Sequence, residues 1–218
     1  MPLLQSLMRR LAPLLAVLVT VLPPSAAAQM AAPQEGNQYL RLKNPQPVET
    51  GKKIEVIEFF SYGCPHCGEL EPHLQTWFKT MPADVQFRRV PVVFQDRWLP
   101  LAKAYYTLDA LGEEARLTPA LFTALHAKGM SLWQDKTFFD WAASQGLDRK
   151  KVEDMYTSFA IAGKVNRARA TAQAYQIQQV PMLVVDGKFV TYQLTSHRAT
   201  PAVIDALIVK ARAERPKS

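Results

Sequence analysis

The chain has two cysteines, and they are separated by only two residues in the sequence Cys64-Pro65-His66-Cys67. Two thiols at this spacing can close a disulfide across one turn of a helix. The apolar run over residues 54–60 predicts a strand just before them, so Cys64 is expected at the N-terminus of a helix and Cys67 one turn inside it. This arrangement is suited to exchanging a disulfide with another molecule.

Three other roles for the cysteine pair are less consistent with the sequence. A bridge across so short a loop would contribute only about 2 kcal/mol of chain-entropy stabilisation, which makes it a poor structural staple. A zinc site would need further ligands, and the chain has no second C-x-x-C and only His73 as another histidine nearby. Covalent haem attachment is excluded because Gly68 follows Cys67. We therefore expect redox exchange, with no metal and no cofactor.

The two thiols are expected to have different roles. At a helix N-terminus the Cys64 sulfur faces free backbone N–H groups and the positive end of the helix dipole, which contributes up to about 2 kcal/mol and favours the thiolate. Cys64 is therefore the predicted nucleophile, and an imidazolium at His66 would add Coulomb attraction. Cys67 is the predicted resolving thiol, which releases a mixed disulfide. The identity of the two residues between the cysteines, Pro65 and His66, is expected to determine whether the protein donates or accepts disulfides.

The other three histidines, His73, His126 and His197, belong to no recognisable constellation in the sequence. We expect them to be structural or surface residues.

The N-terminal segment has the pattern of a secretory signal peptide. Arg9 and Arg10 precede an apolar run that ends at Leu22, and small residues follow up to Ala28. A membrane anchor is the competing interpretation, but the run is shorter than the roughly 20 residues that a spanning helix needs. We expect a signal peptide over residues 1–28, cleavage before Gln29, and a periplasmic protein.

The chain carries a formal net charge of +7. An excess of basic over acidic residues can indicate binding to nucleic acid or to an anionic surface. Because the basic residues are scattered and an exported protein rarely meets nucleic acid, we expect no nucleic-acid partner.

The order of predicted elements defines the fold class. A strand, a helix and a second strand are followed by a long helical block, a hairpin closed by Asp186-Gly187, and a final helix. Without the block this is the order of a thioredoxin-like α/β fold. We therefore predict a thioredoxin-like domain formed by residues 29–97 and 163–218, with a helical domain inserted over residues 98–162.

The chain resembles the bacterial periplasmic thiol:disulfide interchange proteins of the DsbA family. The resemblance rests on the sequence from Glu58 to Cys67, on Val180-Pro181, on the Asp186-Gly187 hairpin and on the helical insertion. It extends over essentially the whole chain after the signal peptide.

The resemblance implies roles for three further residues. Glu58 would be a buried acid beneath Cys67 that relays a proton during exchange; the alternative is a solvated edge carboxylate, as Glu55 is expected to be. Pro181 would follow a cis peptide bond and face the disulfide. The backbone of Val180 would then pair with an extended substrate.

The function implied is an exported, monomeric dithiol oxidase that acts on reduced, unfolded or partly folded exported proteins. A quinone-linked inner-membrane protein of the DsbB type would reoxidise it. Two alternatives remain. A disulfide isomerase or reductase of the same fold would carry a separate dimerisation domain, for which too few residues precede Ile54. A periplasmic peptide-binding chaperone would bind its clients without either cysteine.

Overall fold

The computed structural model describes residues 32–191 and 196–215, so the predicted signal peptide and its cleavage point before Gln29 lie outside the described residues. The elements are β1 (Tyr39–Arg41), β2 (Ile54–Phe60), α1 (Pro65–Phe78), β3 (Val85–Pro91), α2 (Trp98–Ala110), α3 (Glu114–Phe122), α4 (Asp135–Ser144), α5 (Arg149–Tyr156), α6 (Phe159–Ala174), β4 (Met182–Val185), β5 (Phe189–Thr191) and α7 (Thr200–Glu214). A π-helical segment, Thr123–Ala127, continues α3, and a 3₁₀ turn, His197–Ala199, leads into α7. In these two ranges, no helix is long and apolar enough to cross a bilayer.

The five strands form one mixed sheet in the order β1-β5-β4-β2-β3. β2 pairs in parallel with β3 and antiparallel with β4. Every residue of β2 is buried, because it has a strand on each side and core side chains on both faces. Its successive side chains enter opposite cores, since Val56 packs with α1 and α7 whereas Ile57 packs with the helices that follow β3.

Helix α1 follows β2 after a short turn. Cys64 keeps an extended backbone at the N-cap, with φ −96° and ψ 116°, and Pro65 begins the helix with the backbone φ that a first turn requires. Leu70, Leu74 and Trp77 recur at helical spacing and are buried against the sheet. This packing fixes the start of α1 directly beyond the end of β2.

Helices α2–α6 lie in the chain between β3 and β4, as the sequence predicts. Helix α6 runs continuously from Phe159 to Ala174, so the predicted boundary between residues 162 and 163 falls inside a helix. The same helix contacts both α2 and β3. The division into two domains remains a prediction.

The hairpin between β4 and β5 turns at Asp186-Gly187, as predicted. Both residues have positive φ, 54° at Asp186 and 63° at Gly187, which a tight type I′ turn requires. The turn also lies against the segment before β2. A Cβ atom on Gly187 would clash with the carbonyl oxygen of Gln46.

We expect Gly187→Ala to destabilise the protein more than Gly112→Ala does. Both glycines have positive φ, but a Cβ at Gly112 would meet nothing within 4 Å. The left-handed backbone should cost each variant about 1–2 kcal/mol. Displacement of the Gln46 backbone should cost Gly187→Ala about 1–3 kcal/mol more. Chemical denaturation of both variants measures the difference, and equal losses would contradict a close approach at the hairpin.

Candidate active site

The backbone turn before α1 fixes the position of Cys64. The Cys64 N–H donates to the Ser61 carbonyl at 3.0 Å, and the Gly63 N–H donates to the Ser61 hydroxyl at 3.1 Å. The Cys64 carbonyl accepts the N–H of Cys67 at 3.2 Å, which closes the first turn of the helix. A Cβ on Gly63 would stand 2.5 Å from Nε1 of Trp98, so the chain passes close to that indole.

The pKa of the Cys64 thiol is lowered from 9.0 to about 6. The largest cause is a hydrogen bond from the Cys67 thiol; burial opposes it, and the backbone amides of Cys67 and His66 and the positive charge of His66 add to it. Cys64 is 6% exposed. It therefore combines thiolate character at neutral pH with a small accessible surface.

Cys67 has the opposite character. It is completely buried, and burial raises the pKa of its thiol well above the usual value. The hydrogen bond and negative charge of Cys64 raise it further, and so does the charge of Glu58. When Cys67 is released from a disulfide, it therefore requires a proton.

His66 is exposed at the start of α1 and belongs to a cluster that the sequence did not predict. Its Nδ1 lies 2.9 Å from Oε2 of Glu69, and Nε2 of His197 lies 3.3 Å from the same oxygen. The hydrogen bond to Glu69 raises the pKa of His66 and lowers that of Glu69. The expectation that His197 stands alone was wrong, because the turn before α7 packs against α1.

Glu58 lies beneath α1 in a buried ion cluster. The parallel register pairs Glu58 with Arg89, whose Nε donates to Glu58 Oε2 at 2.7 Å. Arg89 also donates to Glu71 and Glu114, each at 2.6 Å. The other oxygen of Glu58, Oε1, is buried without a hydrogen-bond partner among the described residues.

Burial raises the pKa of Glu58 to about 7; the charge of Arg89 lowers it, and the charge of Glu71 raises it. One guanidinium cannot neutralise three carboxylates. Glu58 therefore retains its proton at pH values well above those at which a glutamic acid usually ionises.

Glu55 is also buried, so the expectation of a solvated edge carboxylate was wrong for it. Its Oε1 accepts Nε of Arg88 at 3.0 Å and the backbone N–H of Glu49 at 3.1 Å. β2 is an interior strand whose two faces are both covered, so neither of its glutamates reaches solvent. Each accepts a hydrogen bond from an arginine of β3, Glu55 from Arg88 and Glu58 from Arg89.

A second chain of hydrogen bonds links the turn before Cys64 to the same ion cluster. Nε2 of His126 donates to the Tyr62 carbonyl at 2.8 Å, and the Tyr62 hydroxyl lies 2.7 Å from that of Thr118. Thr118 in turn donates to Glu114 at 3.0 Å, and Glu114 contacts Arg89. The helices after β3 therefore support the active-site turn from one side.

Val180 and Pro181 face Cys64 from the opposite side. The peptide bond between them is cis, as the resemblance implies. The Cys64 thiol donates to the Val180 carbonyl at 3.5 Å. The segment that leads into β4 thus brings a backbone acceptor directly to the reactive sulfur.

Comparison with known proteins identifies the family. A model of the DSBA-like thioredoxin domain matches residues 68–196. The thiol:disulfide interchange protein DsbA of Burkholderia cepacia is 42% identical over 186 residues, which cover 84% of this chain and 88% of that protein. The chain belongs to the DsbA family. DsbA of Pseudomonas aeruginosa is 38% identical over 194 residues, which cover 88% of this chain and 92% of that protein.

Solved structures of DsbA proteins agree in fold. The crystal structure of Pseudomonas aeruginosa DsbA matches with a TM-score of 0.78 at 38% identity, and the match covers 82% of this chain and 94% of that one. The thioredoxin-like α/β fold with additional helices is therefore confirmed. The chain is a DsbA-family thiol:disulfide oxidoreductase of oxidative protein folding, and neither the isomerase or reductase nor the chaperone alternative is favoured.

We expect alkylation of the reduced protein to modify Cys64 alone, with a rate that rises with pH and is half-maximal near pH 6, where its thiolate forms. His66→Gln should move the midpoint to higher pH, because it removes a positive charge near the sulfur. His73→Gln, on the same helix, is the matched control and should leave the midpoint unchanged. Iodoacetamide rates with mass-spectrometric assignment measure all three proteins; a midpoint near that of free cysteine would contradict the predicted thiolate.

Proposed function

We propose that the protein donates the Cys64–Cys67 disulfide to reduced substrate proteins, with Cys64 as the sulfur that is attacked. The asymmetry of the two thiols carries this proposal: Cys64 has a pKa of about 6 and a small exposed surface, whereas Cys67 is buried and its pKa is raised. A substrate thiolate can approach Cys64 and cannot approach Cys67.

Exchange proceeds in two displacement steps. In the first, a substrate thiolate attacks Cys64, the Cys64–Cys67 bond breaks, and Cys67 leaves and takes up a proton. In the second, another substrate thiolate attacks the substrate sulfur of the mixed disulfide, and Cys64 leaves as a thiolate. A thiol of low pKa is the better leaving group, so the second step favours release of an oxidised substrate. The substrate loses two electrons, and the dithiol of the enzyme gains them.

Pro65 and His66 act on the Cys64 thiolate. Pro65 begins α1, so the free N–H groups of the first turn of this helix point towards the Cys64 sulfur. The imidazolium of His66 adds positive charge. The bond to Glu69 holds His66 in its charged form over a wider pH range.

Val180 and Pro181 bind the substrate. The Val180 carbonyl lies 3.5 Å from the Cys64 sulfur at the start of β4, so a substrate cysteine that reaches Cys64 also reaches this backbone. An extended substrate segment pairs there as an added strand, through main-chain hydrogen bonds that do not depend on its sequence.

The wider setting follows from the same reaction. A signal peptide over residues 1–28, cleaved before Gln29, would deliver the protein to the periplasm, where unfolded exported proteins emerge with reduced thiols. The reduced enzyme must be reoxidised, and a quinone-linked inner-membrane protein of the DsbB type supplies the oxidant. We further propose that the protein acts as a monomer and needs no cofactor.

Trapping of mixed disulfides tests these roles. Cys67→Ser should accumulate mixed disulfides with substrates and with the membrane reoxidant, because it keeps the nucleophile and loses the resolving thiol. Cys64→Ser should accumulate few, since a buried Cys67 cannot reach a substrate sulfur. Non-reducing gels of each variant expressed in an exporting bacterium measure this. Equal trapping by both variants would show that the assigned roles are wrong.

Glu58→Gln should slow disulfide transfer, because Glu58 in its protonated form supplies the proton that Cys67 requires. General-acid catalysis accelerates a reaction by about a hundredfold at the lower end of its usual range. We therefore expect the rate of disulfide transfer to fall by roughly tenfold to a hundredfold. Since the pKa of Glu58 is about 7, the difference from the unsubstituted protein should be largest below pH 7 and shrink above it.

Glu55→Gln is the matched control for this prediction. It lies on the same buried strand, is paired with Arg88 of β3, and belongs to the opposite side of the sheet from the Arg89 cluster. Stopped-flow oxidation of a reduced peptide across pH measures both variants. If the two lose activity equally, or if the Glu58→Gln loss is independent of pH, Glu58 has only a structural role.

A further inference from the structure

Three potential metal ligands converge beside the active-site motif. His66 and Glu69 lie three residues apart on α1 and therefore share one face of the helix, and His197 reaches them from the 3₁₀ turn before α7. We propose that His66, Glu69 and His197 form a binding site for a divalent transition-metal ion of the zinc class. This site adjoins the disulfide motif and shares His66 with it, and the sequence does not predict it because His197 is remote from the motif.

The distances fit a tetrahedral ion. Glu69 Oε2 lies 2.9 Å from His66 Nδ1 and 3.3 Å from His197 Nε2, and the three ligand atoms all lie within 4.8 Å of one another. Zinc bonds to imidazole nitrogen and carboxylate oxygen place neighbouring ligand atoms of a tetrahedron about 3.3 Å apart.

The donor set also matches the ion. Two imidazoles with one carboxylate are an established ligand set of zinc, with the fourth position left to water. The side chains of His66 and Glu69 are 68% and 59% exposed, so an ion can enter from solvent.

A bound ion would act on the neighbouring redox couple through charge. A dication on His66 replaces at most a single positive charge, so the positive charge near Cys64 increases. The Cys64 thiolate exists only in the reduced protein. The reduced protein should therefore bind the ion more tightly than the oxidised protein does, and the ion should in turn stabilise the thiolate. The site offers a way for metal supply to influence the same motif.

The test uses oxidised, untagged protein, in which Cys64 and Cys67 are joined and offer no thiolate to the metal. Titration calorimetry with Zn²⁺ should show one site, and His197→Ala and Glu69→Gln should each weaken it by about tenfold or more. His73→Ala removes another histidine of α1 outside the cluster and should leave the affinity unchanged. The absence of a site, unchanged affinity in His197→Ala, or an equal loss in His73→Ala would overturn the proposal.

Cobalt provides a second measurement on the same oxidised proteins. Co²⁺ should give the visible absorption of a tetrahedral ion in the unsubstituted protein and in His73→Ala, and lose it in His197→Ala. A spectrum of octahedral Co²⁺ in all three proteins would contradict the site. Trapping of mixed disulfides does not depend on metal, so failure of this proposal leaves the proposed disulfide transfer intact.

Discussion

The guanidinium of Arg89 joins four parts of the structure around one buried charge. It contacts Glu58 of β2, Glu71 of α1 and Glu114 of α3, and its own strand is β3. Loss of one partner from such a buried cluster typically costs about 3–5 kcal/mol, because the remaining charges have neither water nor a counter-ion. Helix α1 and the helices that support it are therefore held in register with the sheet by the same cluster in which Glu58 is buried.

The two thiols show how one motif produces opposite chemistry over a single helical turn. Free amides and the imidazolium of His66 favour the charged form of Cys64, whereas burial and the charges of Cys64 and Glu58 disfavour the charged form of Cys67. Neither property belongs to cysteine itself. Each follows from position: Cys64 is the N-cap residue of the helix and keeps a small exposed surface, whereas Cys67 is completely buried.

The sequence predicted the elements well because each has its own local signal. The apolar run of β2, the helix that begins after Cys64 and the Asp186-Gly187 turn are all set by neighbouring residues. Contacts that depend on the register of separate elements were not predictable. Arg89 meets Glu58 only because two parallel strands align at that pair.

The same limit explains the errors at the site. Glu55 looked like a solvent-exposed edge residue because sequence periodicity identifies the face of a strand but not what covers that face. His197 looked isolated because its partner His66 lies on another helix, and only tertiary packing brings them together. The cysteine motif and its strand were apparent from sequence, while the acid–base and histidine surroundings required the structure.

Helix α6 has a mechanical consequence for the whole molecule. It spans 16 residues, or about 24 Å at the usual rise, and contacts both α2 and β3. A displacement of helices α2–α5 away from the sheet would have to bend α6 or break its contacts. The chain enters and leaves this group of helices through residues 92–97, after β3, and residues 175–181, before β4, and neither segment contains a helix or strand. The contacts of α6 with β3 on one side and with α2 on the other therefore oppose a hinge motion between the helices and the sheet that carries the active site.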